Sequence, residues 1–93
     1  MRETGQAFSK DVTVVNDLGL HARSAAKIAE IARDAVSKIW LQKNEERVDA
    51  GSILDILTLA CGKGSKLTIV INDRSDMKTL NRIVELVKNG FGE

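Results

Sequence analysis

SKIWLQKNEERVDA (residues 37–50) consists of two short alternating runs on either side of a polar tetrapeptide. Ile39 and Leu41 fall on one face and Trp40 on the other. KNEE (43–46) turns the chain, and the second run ends with Val48 and Ala50. Period-two alternation flanking a turn reads as a β-hairpin. A hairpin forces an antiparallel pair, and the alternation implies a sheet with one face left to solvent.

Outward from the hairpin the pattern changes period. Upstream, Ala25, Ile28, Ala29 and Ala32 recur at helical spacing between Ala22 and about Arg33. Before them KDVTVVN (10–16) alternates as a strand, with Val12 and Val14 on one face, and Asn16, Asp17 and Gly19 break it. Downstream, GSILDILTLACGKG (51–64) reads as a short helix with Ser52 as N-cap and Gly62 and Gly64 closing the segment. KLTIVI (66–71) is a strand with Leu67, Ile69 and Ile71 on one face. Met77, Leu80, Ile83, Val84 and Val87 mark an amphipathic helix, started by Ser75 or Asp73 and closed at Lys88-Asn89-Gly90. The order β-α-β-β-α-β-α predicts a single α+β domain over residues 1–93, a two-layer sandwich of four short strands with helices on one face. Residues 1–9 read as a loose N-terminal lead.

Composition narrows the function. The 93 residues are 43% hydrophobic and 29% charged, ordinary for a soluble globular chain. A net charge of +1 gives no electrostatic reason to expect nucleic acid, and Phe8, Trp40 and Phe91 are too few aromatics for a base-stacking platform. One cysteine, Cys61, and one histidine exclude an internal disulfide and a four-ligand zinc site. No apolar run approaches the ~20 residues of a membrane span, and MRETGQAFSK lacks the apolar core of a signal peptide. A cytoplasmic protein with no metal, no cofactor and no direct membrane insertion is expected. CGKGSK (61–66) lacks the order of a phosphate-binding P-loop and precedes a strand, not a helix.

The single histidine, His21, lies in NDLGLHARSAAKIAE (16–30), where a loop becomes a helix. The first N–H groups of a helix have no intrahelical partners and, with the macrodipole, form an anion site. Arg23 adds a cation whose donors suit phosphate. A neutral imidazole nitrogen is a competent nucleophile towards phosphorus. The residues alone leave two readings open: a helix cap that happens to be histidine, or a nucleophile beside an anion pocket.

Leu20-His21-Ala22-Arg23 after a strand, then Gly51-Ser52-Ile53-Leu54 and Leu59, then Gly64 and KLTIVI at matching separations, resemble the HPr family. These are the histidine-containing phosphocarriers of the bacterial phosphoenolpyruvate–sugar phosphotransferase system. The resemblance spans about Lys10 to Gly90. It implies an open-faced β-sandwich with strand order 1-4-2-3. It implies that His21 is phosphorylated on Nδ1 by phosphorylated enzyme I and passes the group to a sugar-specific IIA domain, with Arg23 assisting the phosphate. Ser52 falls on the serine that an HPr kinase/phosphorylase modifies in many of these bacteria, a step of catabolite regulation that can involve a transcriptional regulator. Ile53 and Leu54 fall on the docking face, where at least one is expected to be exposed. A monomer is expected.

Three positions depart from the family pattern. Ser24 replaces the proline of His-Ala-Arg-Pro, restoring a backbone donor and adding a hydroxyl expected near the phosphate; Gly51 replaces a common lysine; and NDRSD (72–76) lacks the usual glycine. Ile56, Leu57 and Leu59 are expected in the core, Cys61 partly buried, and Trp40 on an unshielded sheet surface. Beside the carrier stand two other readings. One is an HPr-like regulatory protein acting by binding a kinase or transcription factor. The other is a small nucleic-acid module, which the charge and aromatic content oppose.

Overall fold

The computed structural model describes residues 8–93. Strand β1 (Phe8–Thr13) leads into helix α1 (Ala22–Ala32), the hairpin strands β2 (Trp40–Lys43) and β3 (Glu46–Asp49), helix α2 (Ile53–Thr58), strand β4 (Lys66–Ile71) and helix α3 (Met77–Lys88). A 3₁₀ turn at Arg74–Asp76 introduces α3, and another spans Gly90–Gly92. The sheet order is β1-β4-β2-β3 and every neighbouring pair is antiparallel. This is the open-faced α+β sandwich expected from the sequence.

β4 is central, and its register sorts side chains between two layers. Leu67 pairs with Val12, and Ile69 pairs with Leu41. All four are buried, together with Ile71, Ile28, Leu80, Ile83 and Val87. Cross-strand partners share a face, so this set is the helix-covered one. Lys10, opposite Ile69, lies on that same face at the sheet edge and reaches Asn81 of α3, Nζ donating to Oδ1 at 2.6 Å. The other face is polar, with Thr68 Oγ1 donating to Asp11 Oδ1 at 2.7 Å and Arg47 reaching Gln42 Oε1 at 3.0 Å. That face is not fully open, however. Val70 pairs with Trp40 and is only 4% exposed. Trp40 is half-buried, with the Lys38 ammonium 5.3 Å from its ring centroid. Trp40 is thus a half-buried cross-strand partner of a buried valine, with an ammonium near its ring, which corrects the expectation of an unshielded tryptophan.

Three further expectations shift. Phe8 and Ser9 belong to β1, paired with Ile71 and Val70, and so are not part of a loose lead; residues 1–7, the rest of that expectation, lie outside the described residues. Asp73 caps the 3₁₀ turn through the Ser75 N–H at 2.8 Å, not α3 itself. Asp76, which the periodicity left unassigned, is 2% exposed and accepts from the N–H groups of Val36 (2.7 Å) and Ser37 (3.0 Å). One buried carboxylate thus ties the loop after α1 to the start of α3. Cys61 is 2% exposed, and burial pushes its thiol above its ordinary value.

Removing the Asp76 carboxylate leaves two partly buried donors without their charged acceptor. Asp76→Ala is expected to cost on the order of 3 kcal/mol in urea unfolding, with Asp76→Asn recovering part of the loss. An unchanged midpoint would refute this account of the loop.

Candidate functional site

The segment before α1 is held at both ends. Val14 is bound on both sides, its N–H to Ser65 O at 2.9 Å and its O to Gly64 N–H at 2.7 Å. Leu20 N–H donates to Cys61 O at 2.8 Å. Between them the chain turns at Gly19, φ +65°, where a Cβ would lie 2.4 Å from Cys61 O and 2.8 Å from Gly62 Cα. Only glycine accepts both the left-handed backbone and that approach. Asn16, 6% exposed, bridges the turn by donating from Nδ2 to Gly19 O at 2.8 Å.

His21 is the N-cap of α1, extended at φ −127° and ψ −178°. The first intrahelical bond is Ala25 N–H to His21 O at 2.8 Å. The N–H groups of Ala22, Arg23 and Ser24 therefore have no carbonyl four residues back within the helix. The imidazole bends over this end, its Nδ1 accepting from Arg23 N–H at 3.3 Å. Arg23 is exposed beside it. The structure thus brings the His21 ring and the Arg23 N–H together at the open helix end, with the Arg23 side chain exposed.

Ser24 is placed differently from expectation. It is fully buried, and its hydroxyl turns back towards the loop, accepting from His21 N–H at 2.9 Å and reaching Gly19 O at 3.2 Å. Histidine and serine thereby form a reciprocal capping box. The hydroxyl serves the cap instead of extending the anion pocket. What Ser24 adds to that pocket is its backbone N–H, which a proline would lack.

Ser52 caps α2, Oγ accepting from Asp55 N–H at 3.2 Å, and is half-buried. Arg33 Nε donates to the preceding Gly51 O at 3.1 Å. Ile53 is partly buried against the core, while Leu54 is 77% exposed. Ile56 and Leu59 are buried and Leu57 half-buried. α2 packs beside α1. Among the described residues, no cluster of His, Cys, Asp and Glu could hold a metal ion, and no helix is long and apolar enough to cross a membrane.

The sequence reading missed the other side of the ring. His21 Nε2 lies 2.5 Å from Glu93 Oε2, and Glu93 Oε1 accepts from Asn16 Nδ2 at 3.0 Å. The two side chains of the His21–Glu93 pair keep 25% and 22% of their surface exposed. Glu93 arrives there through GFG (90–92), three consecutive left-handed residues at φ +64°, +60° and +76°. Phe91 is 1% exposed in the core, and its carbonyl accepts from Lys27 Nζ at 2.8 Å. The one available signal was an isolated phenylalanine between two glycines just past a helix end. The Asn16 amide, then the His21 ring, holds the Glu93 carboxyl below its ordinary value near 4.5.

The family described as "PTS HPr component phosphorylation site" matches residues 8–89. The phosphocarrier protein HPr of Cupriavidus necator is 37% identical over 86 residues, 92% of this chain and 97% of its own length. The phosphocarrier protein NPr of Shewanella violacea is 34% identical, over 92% of this chain and 94% of its own. The crystal structure of HPr-C-His from Thermoanaerobacter tengcongensis superposes with a TM-score of 0.83 at 30% identity, covering 92% of this chain and 97% of that one. The chain belongs to the HPr family of phosphocarriers.

Two outcomes follow from this geometry. Ser24→Ala removes half of the capping box and is expected to cost about 1 kcal/mol in thermal or urea unfolding. Because the folded-state Glu93 value is lowered, its contact with His21 is complete above about pH 4.5. It is lost as pH falls through the lower folded value. Phe91 ring signals followed by NMR should report that loosening only below pH 4.5; a change centred near neutrality would contradict it.

Proposed function

We propose that this member of the HPr family is a phosphoryl carrier in which His21 accepts the group from phosphorylated enzyme I and hands it to a IIA domain. The observation that supports this most directly is the His21 ring folded over the open N-terminus of α1, with Nδ1 at the helix end and Arg23 beside it. A phosphate on Nδ1 would meet the N–H groups of the helix end, with the Arg23 N–H released from the ring nitrogen, the positive end of the macrodipole and the Arg23 cation. The chain acts as a carrier, not as an independent enzyme, with a transient phosphohistidine, and works in the cytoplasm.

Leu54, exposed next to half-buried Ser52, gives α2 an apolar point for partner docking, and Ile53 supports it from the core side. A phosphate on Ser52 would add negative charge there at a helix start, which need not unfold the helix. That supports regulation by a kinase/phosphorylase and, through it, a transcriptional regulator. Ser24 tunes the lifetime of the phosphohistidine by supplying one more N–H than proline would.

The test is incubation with phosphoenolpyruvate, Mg²⁺ and enzyme I. An acid-labile phosphate is expected in the parent and none in His21→Ala; label persisting in that variant would exclude the site. Ser24→Pro is expected to change phosphohistidine half-life modestly, within about tenfold, about 1.4 kcal/mol. A parent that is inactive until that change is made would overturn the role given to Ser24. Label confined to Ser52 from ATP and a kinase would favour the purely regulatory reading.

A further inference from the structure

The carrier reading explains why Nδ1 faces the helix end but leaves the opposite nitrogen without a role. Both ring contacts constrain where the imidazole proton sits. A carboxylate can only accept, so at 2.5 Å from Glu93 Oε2 the His21 Nε2 must donate. Independently, Nδ1 receives the Arg23 N–H at 3.3 Å and so must offer its lone pair. The two contacts agree on one neutral tautomer, with the proton on Nε2 and the nucleophilic pair on Nδ1. We propose that Glu93 is a positioning residue for phosphoryl transfer, holding that tautomer and stabilising the positive charge that the ring acquires when Nδ1 binds phosphorus. The inference rests on the carrier reading.

The chemistry balances without moving a proton. The Nδ1 pair forms the N–P bond while the bond from phosphorus to the donor breaks and its electron pair returns to the donor. The ring then holds phosphorus on Nδ1 and hydrogen on Nε2, and it carries a positive charge beside the Glu93 carboxylate. In onward transfer the N–P pair returns to Nδ1, leaving the same neutral tautomer. A carboxylate that orients an imidazole and offsets its developing charge, without taking its proton, is the role of the aspartate in a serine-protease triad. Here it lies on the side of the ring away from the phosphate site, so it does not oppose the incoming anion at close range.

The carboxylate is itself held in place. Asn16, 94% removed from solvent, fixes Oε1 at 3.0 Å while its other amide proton braces Gly19 O at 2.8 Å. Phe91 anchors the segment in the core, and Lys27 clamps the Phe91 carbonyl. Asn16 therefore couples the turn before His21 to the group that orients its ring. The Asn16 amide, then the His21 ring, also favours the ionised form of Glu93.

The test pairs a spectroscopic readout with a kinetic one. In ¹⁵N-imidazole NMR of the unphosphorylated protein, the Nε2–H tautomer should dominate the neutral ring of the parent. Glu93→Gln should bring the Nδ1–H form to a comparable population and slow phosphoryl acceptance from phosphorylated enzyme I by about tenfold or more. Asn16→Ala, which loosens the carboxylate without removing it, should fall between them in both readouts. A parent ring protonated mainly on Nδ1, or a tautomer population unmoved by Glu93→Gln, overturns the proposal without any phosphotransfer measurement. A shifted tautomer with an unchanged rate overturns the role in transfer. A parent that takes no phosphate at all, with the Nε2–H tautomer intact, sinks the carrier reading itself.

Discussion

The three N–H groups of Ala22, Arg23 and Ser24 have no carbonyl to meet within α1, and the surrounding structure is fitted to that fact. A helix start left open to solvent would be satisfied by water and carry no chemistry. Here the chain before it is pinned so that an imidazole leans across it. Gly19 lets the loop press against the Cys61 carbonyl, Leu20 hydrogen-bonds to that carbonyl, and Ser24 closes the cap from inside. Each contact is local and modest, and together they fix the backbone from which the ring reaches the helix end.

Ser24 shows how one position can meet the same demand by different means. Proline at a helix start contributes a preset φ and removes a donor that would lack a partner. Serine contributes a side-chain oxygen that satisfies the His21 N–H, and it keeps its own N–H at the helix end. The cap is preserved while the helix end keeps one N–H more than proline would leave it. The exchange is tolerable because the hydroxyl is buried and fully engaged, so no polar group is stranded.

Much of the fold was legible because period and burial coincide. Val12, Leu41, Leu67 and Ile69 alternate in the sequence and meet in register across three strands. Ile28, Leu80, Ile83 and Val87 repeat at helical spacing and close over them. Legibility failed where one residue serves two elements distant in sequence. Asp76 looks like a helix-start acid, yet its carboxylate holds Val36 and Ser37, some forty positions earlier. Trp40 looks solvent-facing by alternation, yet it is half-buried on a face where Val70, its neighbour only through strand pairing, is itself buried.

For the site, the sequence alone determined His21, Arg23 and the helix that begins between them, since capping and periodicity are local and act within a turn. It also carried the spaced motifs that mark the HPr family. The tertiary structure alone decided that the Glu93 carboxylate meets the His21 ring at Nε2. That contact depends on Glu93 and Asn16 meeting across 77 positions of chain, brought together by a buried phenylalanine and three left-handed residues. No local pattern encodes such a meeting, because it is the closed core, not the neighbouring residues, that sets the distance.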